Sequence, residues 1–472
     1  MHQITIKLIM KKTVKSILYI LLATAFVVSS CKKKTDDPAP STGGNTNLEI
    51  IEGEISSDKI LDASKKYLLK GKVYVLSGHK IVIPAGTVIF GDKTTQGALI
   101  INRGAKIEAN GTASNPIVFT SNGPAGFRQR GDWAGIVICG NAKTNKGTNN
   151  PIEGIQGTGT VNGYYGPGAN EDNTQNSGTM KFVRIEYAGF PLSDDNELNS
   201  LTLGSVGSGT TIENIMVSYA NDDAYEWFGG TVNHKFLIAY STIDDDFDTD
   251  AGYSGSIQYG LIVRDNNIAD KSTSRAFESS SNSAGTAPAS ECKFANFTIL
   301  GPWVYADTSI ATGAISSSYG NAIEINSSSN IKVWNSIILG FTVPVNMNGG
   351  DNSEVKNNIL YGRDSLVFKT AAAKGTFSGN TVITSRSLKT IYGTSVFTGK
   401  DSKKNKSEAS SALYFNGPNP VQAATSPYIT GAPDLSPNFA TESYYGAFGT
   451  VANAGWAWGQ AWINFKPNTT AY

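Results

Sequence analysis

The chemically distinctive part of the sequence is an acidic stretch spanning residues 213–250. It holds nine carboxylates against a single basic residue, Lys235. Carboxylates that lie close together repel one another unless a cation or a proton intervenes, and clustered hard oxygen ligands suit Ca²⁺. We therefore predict Ca²⁺ as the cofactor, bound by aspartates of this stretch, with a solvated acidic turn as the alternative. The predicted ligands are Asp222, Asp223, Asp244, Asp246, Asp248 and Asp250.

A short pattern recurs in and after this stretch and predicts how its acids are arranged. Each copy consists of a small or acidic residue, an apolar residue and an acid. The copies occupy residues 224–226, 246–248, 276–278 and 322–324. We expect their final acids to stack on one outward face of a sheet, with neighbours about 4.8 Å apart. These acids are Glu226, Asp248, Glu278 and Glu324.

The same face is predicted to bind a ligand. Aromatic residues surround the acids, and an exposed ring beside polar groups can stack on a sugar face. We predict a binding or scaffolding role, with a glycan or an outer-membrane protein as the partner. The predicted ligand-binding residues are Glu226, Trp227, Glu278 and Glu324.

An enzyme remains an alternative, because carboxylates on one face also permit catalysis. Inverting glycoside hydrolysis needs two carboxyl groups about 6.5–9.5 Å apart, a spacing that stacked strands do not exclude. A polysaccharide lyase also needs a basic residue beside calcium, and Arg264 and Arg275 follow the acidic stretch. The sequence carries no Gly-His-Gly motif, and we expect His234 to be a surface residue, which favours binding over catalysis. The catalytic candidates are Glu226, Asp248 and Glu278.

The elements that must position these residues are short β-strands. Runs rich in Val, Ile and Leu recur between Gly, Asn, Asp and Ser, and helical periodicity is hard to find beyond residue 31. From Ile215 the steps between successive later runs are 22, 22, 38, 40, 22 and 23 residues. A step of 22 fits one coil of a right-handed parallel β-helix, whereas a propeller blade needs about 40–50 residues. We predict an all-β, right-handed parallel β-helix over residues 49–410, with the longer steps as loop insertions.

Two further patterns concern the ends of strands and the end of the chain. Asparagines that open successive runs are expected to stack and to hydrogen-bond along the coil axis. These are Asn214, Asn296, Asn335, Asn358 and Asn380. Residues 411–472 are rich in Pro and aromatic residues, and because Pro breaks ladder pairing we predict a C-terminal cap there.

The N-terminus is predicted to be a targeting segment. A basic region precedes an apolar run from Ile17 to Val28, which is shorter than the roughly 20 residues that span a bilayer. The run ends in Val28-Ser29-Ser30-Cys31, which resembles a bacterial lipobox. We predict a lipoprotein signal peptide over residues 1–30, lipid attachment at Cys31 and a flexible tether over residues 31–48. An ordinary signal peptide is the alternative.

The charge balance changes once this segment is set apart. The whole chain has 39 basic and 39 acidic residues, but residues 1–34 contain seven Lys and no acid, so the remainder carries 39 − 7 = 32 basic residues and a net charge of −7. That sign argues against nucleic acid as a partner. The two remaining cysteines, Cys139 and Cys292, lie in apolar runs and are expected to be buried free thiols, with a disulfide as the alternative.

Several motifs resemble those of a mostly uncharacterised family of secreted bacterial β-helix proteins that is common in Bacteroidota. The motifs are Glu226-Trp227-Phe228-Gly229-Gly230-Thr231-Val232-Asn233, Asp244-Asp245-Asp246-Phe247-Asp248-Thr249-Asp250, Tyr253-Ser254-Gly255 and Tyr445-Gly446-Ala447-Phe448-Gly449. The resemblance covers most of residues 50–472 and implies a fold and an address rather than a reaction. The charged run after Cys31 also resembles the lipoprotein export signal of Bacteroidota. We therefore expect an outer-membrane lipoprotein facing the cell surface; an accessory subunit of a transporter or other surface machine is a further alternative.

Overall fold

The structure is a computed structural model, and it describes most of the chain from residue 47 onward. The described residues are 47–155, 162–193, 196–282, 285–304, 315–364, 374–383, 389–392, 420–450, 456 and 460–472. The predicted signal peptide, the lipid-attachment residue Cys31 and nearly all of the tether lie outside this set. Within it, no helix is long and apolar enough to cross a membrane.

Twenty-six of the described strands form one sheet that coils around a continuous apolar core, and neighbouring strands in it are parallel. This confirms the predicted all-β parallel β-helix. The register joins Tyr225 to Phe247 and Ile215 to Leu237, so one coil spans 22 residues here, as the spacing of the apolar runs predicts. Each coil contributes to three ladders, which we call faces A, B and C.

Face A carries the residues of the acidic stretch. Its strands are Ala98–Ile101, Gly135–Cys139, Leu201–Gly204, Tyr225–Phe228, Phe247–Asp250, Phe277–Ser279, Asn321–Ile325 and Val343–Met347, preceded by the last residues of Glu49–Ile55 and Lys66–Val75. Two antiparallel pairs lie in loops between its strands. They are Asn150–Pro151 with Tyr164–Tyr165, and Pro191–Ser193 with Asn196–Glu197.

Faces B and C share five long strands that bend from one face to the other. These are Gly178–Glu186, Thr211–Ser218, His234–Tyr240, Ser256–Val263 and Lys293–Leu300. Face B continues through Lys59–Ile60, Lys80–Pro84, Lys106–Asn110, Lys332–Trp334, Glu354–Lys356 and Thr376–Ser378. Face C continues through Val88–Gly91, Ile117–Ser121, Ile337–Phe341, Ile359–Gly362 and Thr381–Val382, and the first residues of Glu49–Ile55 and Lys66–Val75.

The bend between faces B and C explains part of the asparagine pattern. Asn214, Asn296 and Asn335 sit at the bend with φ of 54°, 54° and 50°, a left-handed conformation that Asn tolerates better than most residues. Asn358 and Asn380 lie one position further along the coil, where the Asn358 amide donates to Asn380 Oδ1 at 3.0 Å. The predicted single stack is therefore two sets, because Asn296 and Asn335 donate their side-chain amides to the carbonyls of Tyr444 and Pro433 in the C-terminal region instead.

The described part of the C-terminal region covers a side of the solenoid. Its Gly446 N–H donates to Asn335 O at 2.8 Å, and its Trp462 N–H donates to Ala113 O at 3.1 Å, many coils earlier. Trp456 and Trp462 pack against the outward apolar side chains of face C. The predicted aromatic cap therefore does more than close the last coil. It lies along face C and reaches back over earlier coils. Short helical turns are formed by Lys389–Tyr392, which precedes this region, and by Pro467–Thr469 within it.

The positions of Cys139 and Cys292 decide whether these two cysteines form a disulfide. Cys139 lies on face A and Cys292 precedes the first residue of a face B strand, and both are buried free thiols. The expectation of unpaired thiols is confirmed.

Candidate functional site

The register of face A brings the predicted acids into one column. Glu226 lies opposite Asp248, Asp248 opposite Glu278, and Glu278 opposite Glu324. Side chains alternate along a strand, so the neighbouring Tyr225, Phe247 and Phe277 point into the core while the acids point out. The column is less open than predicted, since Glu226 and Glu324 are only 8% and 5% exposed.

An aromatic layer beneath the column holds these strands in place. The Tyr225 and Phe247 rings lie 4.9 Å apart, and Trp227 stacks on Phe247 at 5.8 Å. Trp227 is fully buried and donates its indole N–H to His234 Nε2 at 3.0 Å. This placement corrects the prediction that Trp227 contacts a ligand, because the alternation that turns Glu226 outward turns Trp227 into the core.

His234 is also in the core, which corrects its expected surface position. Burial lowers the pKa of its imidazole to about 3. It stays neutral at physiological pH, and its Nε2 lone pair is occupied by the Trp227 indole. His234 is therefore a structural residue and is poorly placed to act as a catalytic base.

A second column lies in the turns that precede the face A strands. Its members come two positions before each inward apolar residue, so they recur once per coil. Asn199 Oδ1 accepts the N–H of Asp223 at 3.1 Å, Asp223 Oδ1 accepts that of Asp245 at 2.8 Å, and Asp245 Oδ1 accepts that of Arg275. Each side chain thereby fixes the turn of the next coil and holds carboxylates beside the acid column.

Five carboxylates from the two columns and their turns form what we call the acid cluster. They fall into two groups, and within each group one oxygen per residue lies within 4.8 Å of the others. The first group is Asp222, Asp223 and Asp244, and the second is Asp223, Glu226 and Asp248. Asp223 belongs to both groups, so it links the turn column to the strand column.

The acid cluster concentrates negative charge in a poorly solvated place. Asp223 and Glu226 are each only 8% exposed. Burial, then the neighbouring Asp222 and Asp245 carboxylates, raise the pKa of Asp223 well above its usual value. Burial, then Asp248, do the same to the pKa of Glu226, and burial, then Glu278, to that of Asp248. The cluster is therefore unfavourable as a set of bare anions.

Two of its oxygen atoms have no hydrogen-bond partner among the described residues. These are Asp244 Oδ1 and Asp248 Oδ1, both buried as atoms. Burial, opposed by a hydrogen bond from Ser272, raises the pKa of Asp244 to about 6. Buried acceptors without a donor, in a donor set made only of carboxylates, fit a hard divalent cation such as Ca²⁺.

Two of the predicted metal ligands lie outside both groups. Asp246 is fully buried and pairs with Arg264, with 3.1 Å between Oδ2 and Nη1. Asp250 is on face A but pairs with Lys146, with 3.4 Å between Oδ2 and Nζ. Alternation of Asp246, Asp248 and Asp250 predicted one shared face, but the strand begins only at Phe247, and Asp246 turns toward Arg264 instead.

The later half of the acid column is neutralised by Arg275. Its Nη1 lies 2.5 Å from Glu278 Oε2 and 3.8 Å from Asp245 Oδ2, and its Nε lies 3.8 Å from Glu324 Oε2. Burial acts to lower the pKa of Arg275, but Asp245 and Glu278 outweigh it and raise the pKa above its usual value. Arg275 is therefore held as a cation and is poorly suited to accept a proton.

Two residues of the site escaped the sequence-based assignment. Asn199 donates its side-chain amide to Glu226 Oε2 and accepts from the Asp223 N–H. Asp245 stacks directly on Asp223. Both could have been found by aligning the coil that contains Leu201 with the next two, since Leu201, Tyr225 and Phe247 share one inward column.

Comparison with known proteins identifies the fold family. A family model described as a pectate-lyase-like beta helix domain matches residues 53–412, which is more than half of the chain. Curated proteins and solved structures yield no match.

Proposed function

Because the chain belongs to the family of pectate-lyase-like β-helix domains, we propose that its acid cluster binds Ca²⁺ and, with it, an anionic polysaccharide. The observation that carries the proposal is the membership of Asp223 in both carboxylate groups. One residue thereby joins two sets of hard oxygen ligands on the outward side of a β-helix. The family supports a polysaccharide-related binding role in general terms, and the acid cluster makes it specific.

Different residues of the site would bind the cation and orient its ligands. Asp223, Glu226 and Asp248 would hold the cation, while Asn199 orients the Glu226 carboxylate through its side-chain amide. A bound Ca²⁺ would offer its remaining coordination positions to carboxylate oxygens of a uronic-acid polymer and reduce the local negative charge that otherwise repels it. The cation would thus bridge two sets of acids, those of the cluster and those of the polymer. The protein's own acids are gathered because they must hold that cation together.

Catalysis is the second candidate, and the raised pKa values are what favour it. A carboxyl group whose pKa is raised can act as a general acid in glycoside hydrolysis, and burial together with neighbouring carboxylates raises the pKa values of Glu226 and Asp248. A lyase reaction is less well served, because its base would be Arg275, whose pKa is raised and whose guanidinium pairs with Glu278. We therefore place binding first and hydrolysis second.

The proposal also includes a cellular location. We propose that a lipid on Cys31 anchors the protein in the outer membrane of a bacterium of the Bacteroidota type, with the β-helix at the cell surface. The lipobox-like residues before Cys31 and the polar tether after it support this location. At the surface the acid cluster would meet polymers before they enter the cell, alone or as an accessory to an outer-membrane transporter.

Calcium titration of the full-length lipoprotein in detergent tests the metal site. Isothermal titration calorimetry is expected to show Ca²⁺ binding to the wild type that is strongly weakened in Asp223→Asn. The Asp250→Asn variant is the matched control, because Asp250 lies on face A in the same strand as Asp248 but belongs to neither carboxylate group and pairs with Lys146. An absence of Ca²⁺ binding, together with a melting temperature that chelator leaves unchanged, would remove the site.

Polymer binding tests the ligand class. Polygalacturonate and alginate are expected to bind in Ca²⁺ and to be released by chelator, whereas neutral dextran serves as the control. Release of reducing ends or unsaturated products from these polymers, lost in Glu226→Gln or Asp248→Asn, would transfer the conclusion to catalysis. Binding that is indifferent to both Ca²⁺ and Asp223→Asn would show that the polymer uses another surface.

The cellular location has its own test. Cys31→Ala is expected to abolish incorporation of labelled palmitate and to move the protein out of the membrane fraction of its native host. External protease on intact cells is expected to digest the wild type. A Cys31→Ala protein that still fractionates with membranes would refute the lipid anchor, and affinity purification from the native membrane would reveal a transporter partner.

A further inference from the structure

A polar cleft of about 470 Å³ lies on face B, where the C-terminal region crosses the strands. Its volume falls within the range of about 300–1,000 Å³ that small-molecule sites occupy. One wall consists of outward side chains of face B, including Glu213, Lys235 and Ser256. The other wall is residues 437–440 of the C-terminal region. The cleft is lined by none of the residues of the acid cluster.

The second wall is held in place by a buried amide. Gln258 is 1% exposed, and its side chain clasps the backbone of Ala440, donating to the carbonyl at 2.8 Å and accepting from the N–H at 3.1 Å. The Phe439 ring packs edge-on against Trp334, with 6.0 Å between ring centroids. This buried glutamine, which also donates to Asn296 Oδ1 at 3.0 Å, fixes the position of Ala440 relative to face B.

The lining mixes hydrogen-bond donors and acceptors beside one aromatic ring. The Glu213 carboxylate is balanced by Lys181, with 3.4 Å between Oε2 and Nζ. Lys235 is exposed and forms no ion pair with the residues that the structure describes. Asn233 accepts from the Ser256 N–H through Oδ1 at 2.9 Å, which directs its amide nitrogen to outside partners.

This chemistry selects among classes of small ligand. The Glu213 carboxylate beside Lys235 gives the cleft a strong acceptor as well as a donor, and a phosphate or carboxylate group has no hydroxyl donor for that acceptor. A lipid chain would need far more apolar surface than Phe439 offers. A sugar unit presents hydroxyl groups that both donate and accept, together with an apolar ring face suited to an aromatic side chain. We propose that this cleft is a second binding site, which takes a neutral sugar unit stacked on Phe439 and hydrogen-bonded to Lys235, Asn233 and Glu213.

The site is independent of the acid cluster and needs no cation. It would let one protein hold a heteropolysaccharide through an acidic segment on face A and a neutral segment on face B. Its existence does not rest on the Ca²⁺ proposal, and the two can fail separately.

Calorimetric titration with neutral tetrasaccharides of glucose, mannose, galactose and xylose tests the proposal. The full-length lipoprotein is used in a detergent without sugar groups and in the presence of EDTA. At least one tetrasaccharide is expected to bind, and Phe439→Ala and Lys235→Ala are each expected to weaken that binding, the former about tenfold. Asp223→Asn is expected to leave it unchanged, which separates this site from the acid cluster.

Controls keep the result interpretable. Lys106→Ala removes an exposed lysine of face B outside the cleft and is expected to bind like the wild type. Should Phe439→Ala lower the melting temperature, the exposed Lys235→Ala and Asn233→Ala variants decide the matter. The proposal is overturned if none of the four tetrasaccharides binds, or if binding persists unchanged in the Lys235→Ala and Asn233→Ala variants.

Discussion

Faces A and C follow the same strand alternation and yet present opposite chemistry. The outward column of face A is acidic, running through Glu226, Asp248 and Glu278. The outward column of face C is apolar except at Thr298. It runs through Met216, Ile238, Leu261, Thr298, Ile337 and Ile359.

The two faces differ in which groups contact their outward side chains. Face C is covered by the chain itself, since Trp456 and Trp462 pack on its apolar side chains and the Asn464 N–H points at Met216 Sδ at 3.3 Å. Face A gathers buried carboxylates, and Asp244 Oδ1 and Asp248 Oδ1 have no donor among the described residues. The difference is that the C-terminal region covers the outward apolar side chains of face C, whereas two buried acceptors of face A have no donor among the described residues, which is the reason we propose a ligand there.

The largest effect is expected where face C meets its covering. Trp462→Ala should lower the free energy of unfolding by about 3–5 kcal/mol, because a fully buried indole is replaced by a cavity. Urea denaturation followed by fluorescence measures the change. Phe127→Ala, which truncates an aromatic ring that is 60% exposed, should change it by less than about 0.5 kcal/mol. A loss below about 1 kcal/mol in Trp462→Ala would mean that the C-terminal region is dispensable to face C.

The next effect concerns the residue shared by both carboxylate groups of face A. Asp223→Asn should weaken Ca²⁺ binding on the order of 100-fold, about 2.7 kcal/mol, because both groups lose a charged ligand. In chelator the same variant should melt at a higher temperature than the wild type, since a buried repulsive charge is removed. Calorimetry and thermal melts measure the two quantities. A variant that loses stability in chelator would assign Asp223 to the structural class of face C.

A smaller effect is expected from pH. The pKa of Asp244 is raised in the folded protein from 3.8 to about 6 by burial, and those of Asp223, Glu226 and Asp248 are raised as well. A group whose pKa is higher in the folded than in the unfolded state stabilises the fold at low pH and loses that contribution as the pH rises through the folded value.

In chelator, therefore, the shift of Asp244 alone should cost the wild type about 2 kcal/mol between pH 4 and pH 7, and millimolar Ca²⁺ should remove the loss. Thermal melts across this range measure it, with Asp244→Asn as the variant in which the slope is reduced. Identical pH profiles for the wild type and Asp244→Asn in chelator would contradict the raised pKa of this group.

The smallest effect is expected further along the acid column. Glu278→Gln should change Ca²⁺ affinity by less than about threefold, because Arg275 already neutralises Glu278 at 2.5 Å. Arg275→Gln should instead increase the affinity, since Glu278 and Asp245 then add their charge to the cluster. Calorimetric titration of both variants decides whether the binding part of face A ends at Asp248. Equal losses in Asp223→Asn and Glu278→Gln would extend it along the whole column.

Much of this arrangement was predictable from spacing. The 22-residue step between Glu226 and Asp248 predicts that they stack, and the register confirms that they do. The same step relates Asp222 to Asp244, which the structure brings into one carboxylate group. Spacing works here because a parallel coil converts a fixed number of residues into a fixed position on one face.

Other assignments failed because the residue type alone does not tell whether a side chain points outward or into the core. Trp227 looks like an exposed ring beside acids, but its place next to an outward Glu226 turns it into the core. Asp246 looks like a ligand in an alternating run, but it precedes the strand and pairs with the buried Arg264. Both errors come from treating neighbours in sequence as neighbours on a surface.

The sequence by itself determined the coil, the repeat and the column of acids, because all three follow from local alternation and a constant step. Only the tertiary structure decided which acids lack partners, since Lys146 and Arg264 reach Asp250 and Asp246 from distant positions in the chain. Arg275, three residues before Glu278, also reaches Asp245 and Glu324 in other coils. The tertiary structure also decided that the C-terminal aromatics lie along face C, because that apolar surface exists only once the strands are stacked. Charge and burial are properties of the assembled neighbourhood, and the chemistry of the acid cluster depends on both.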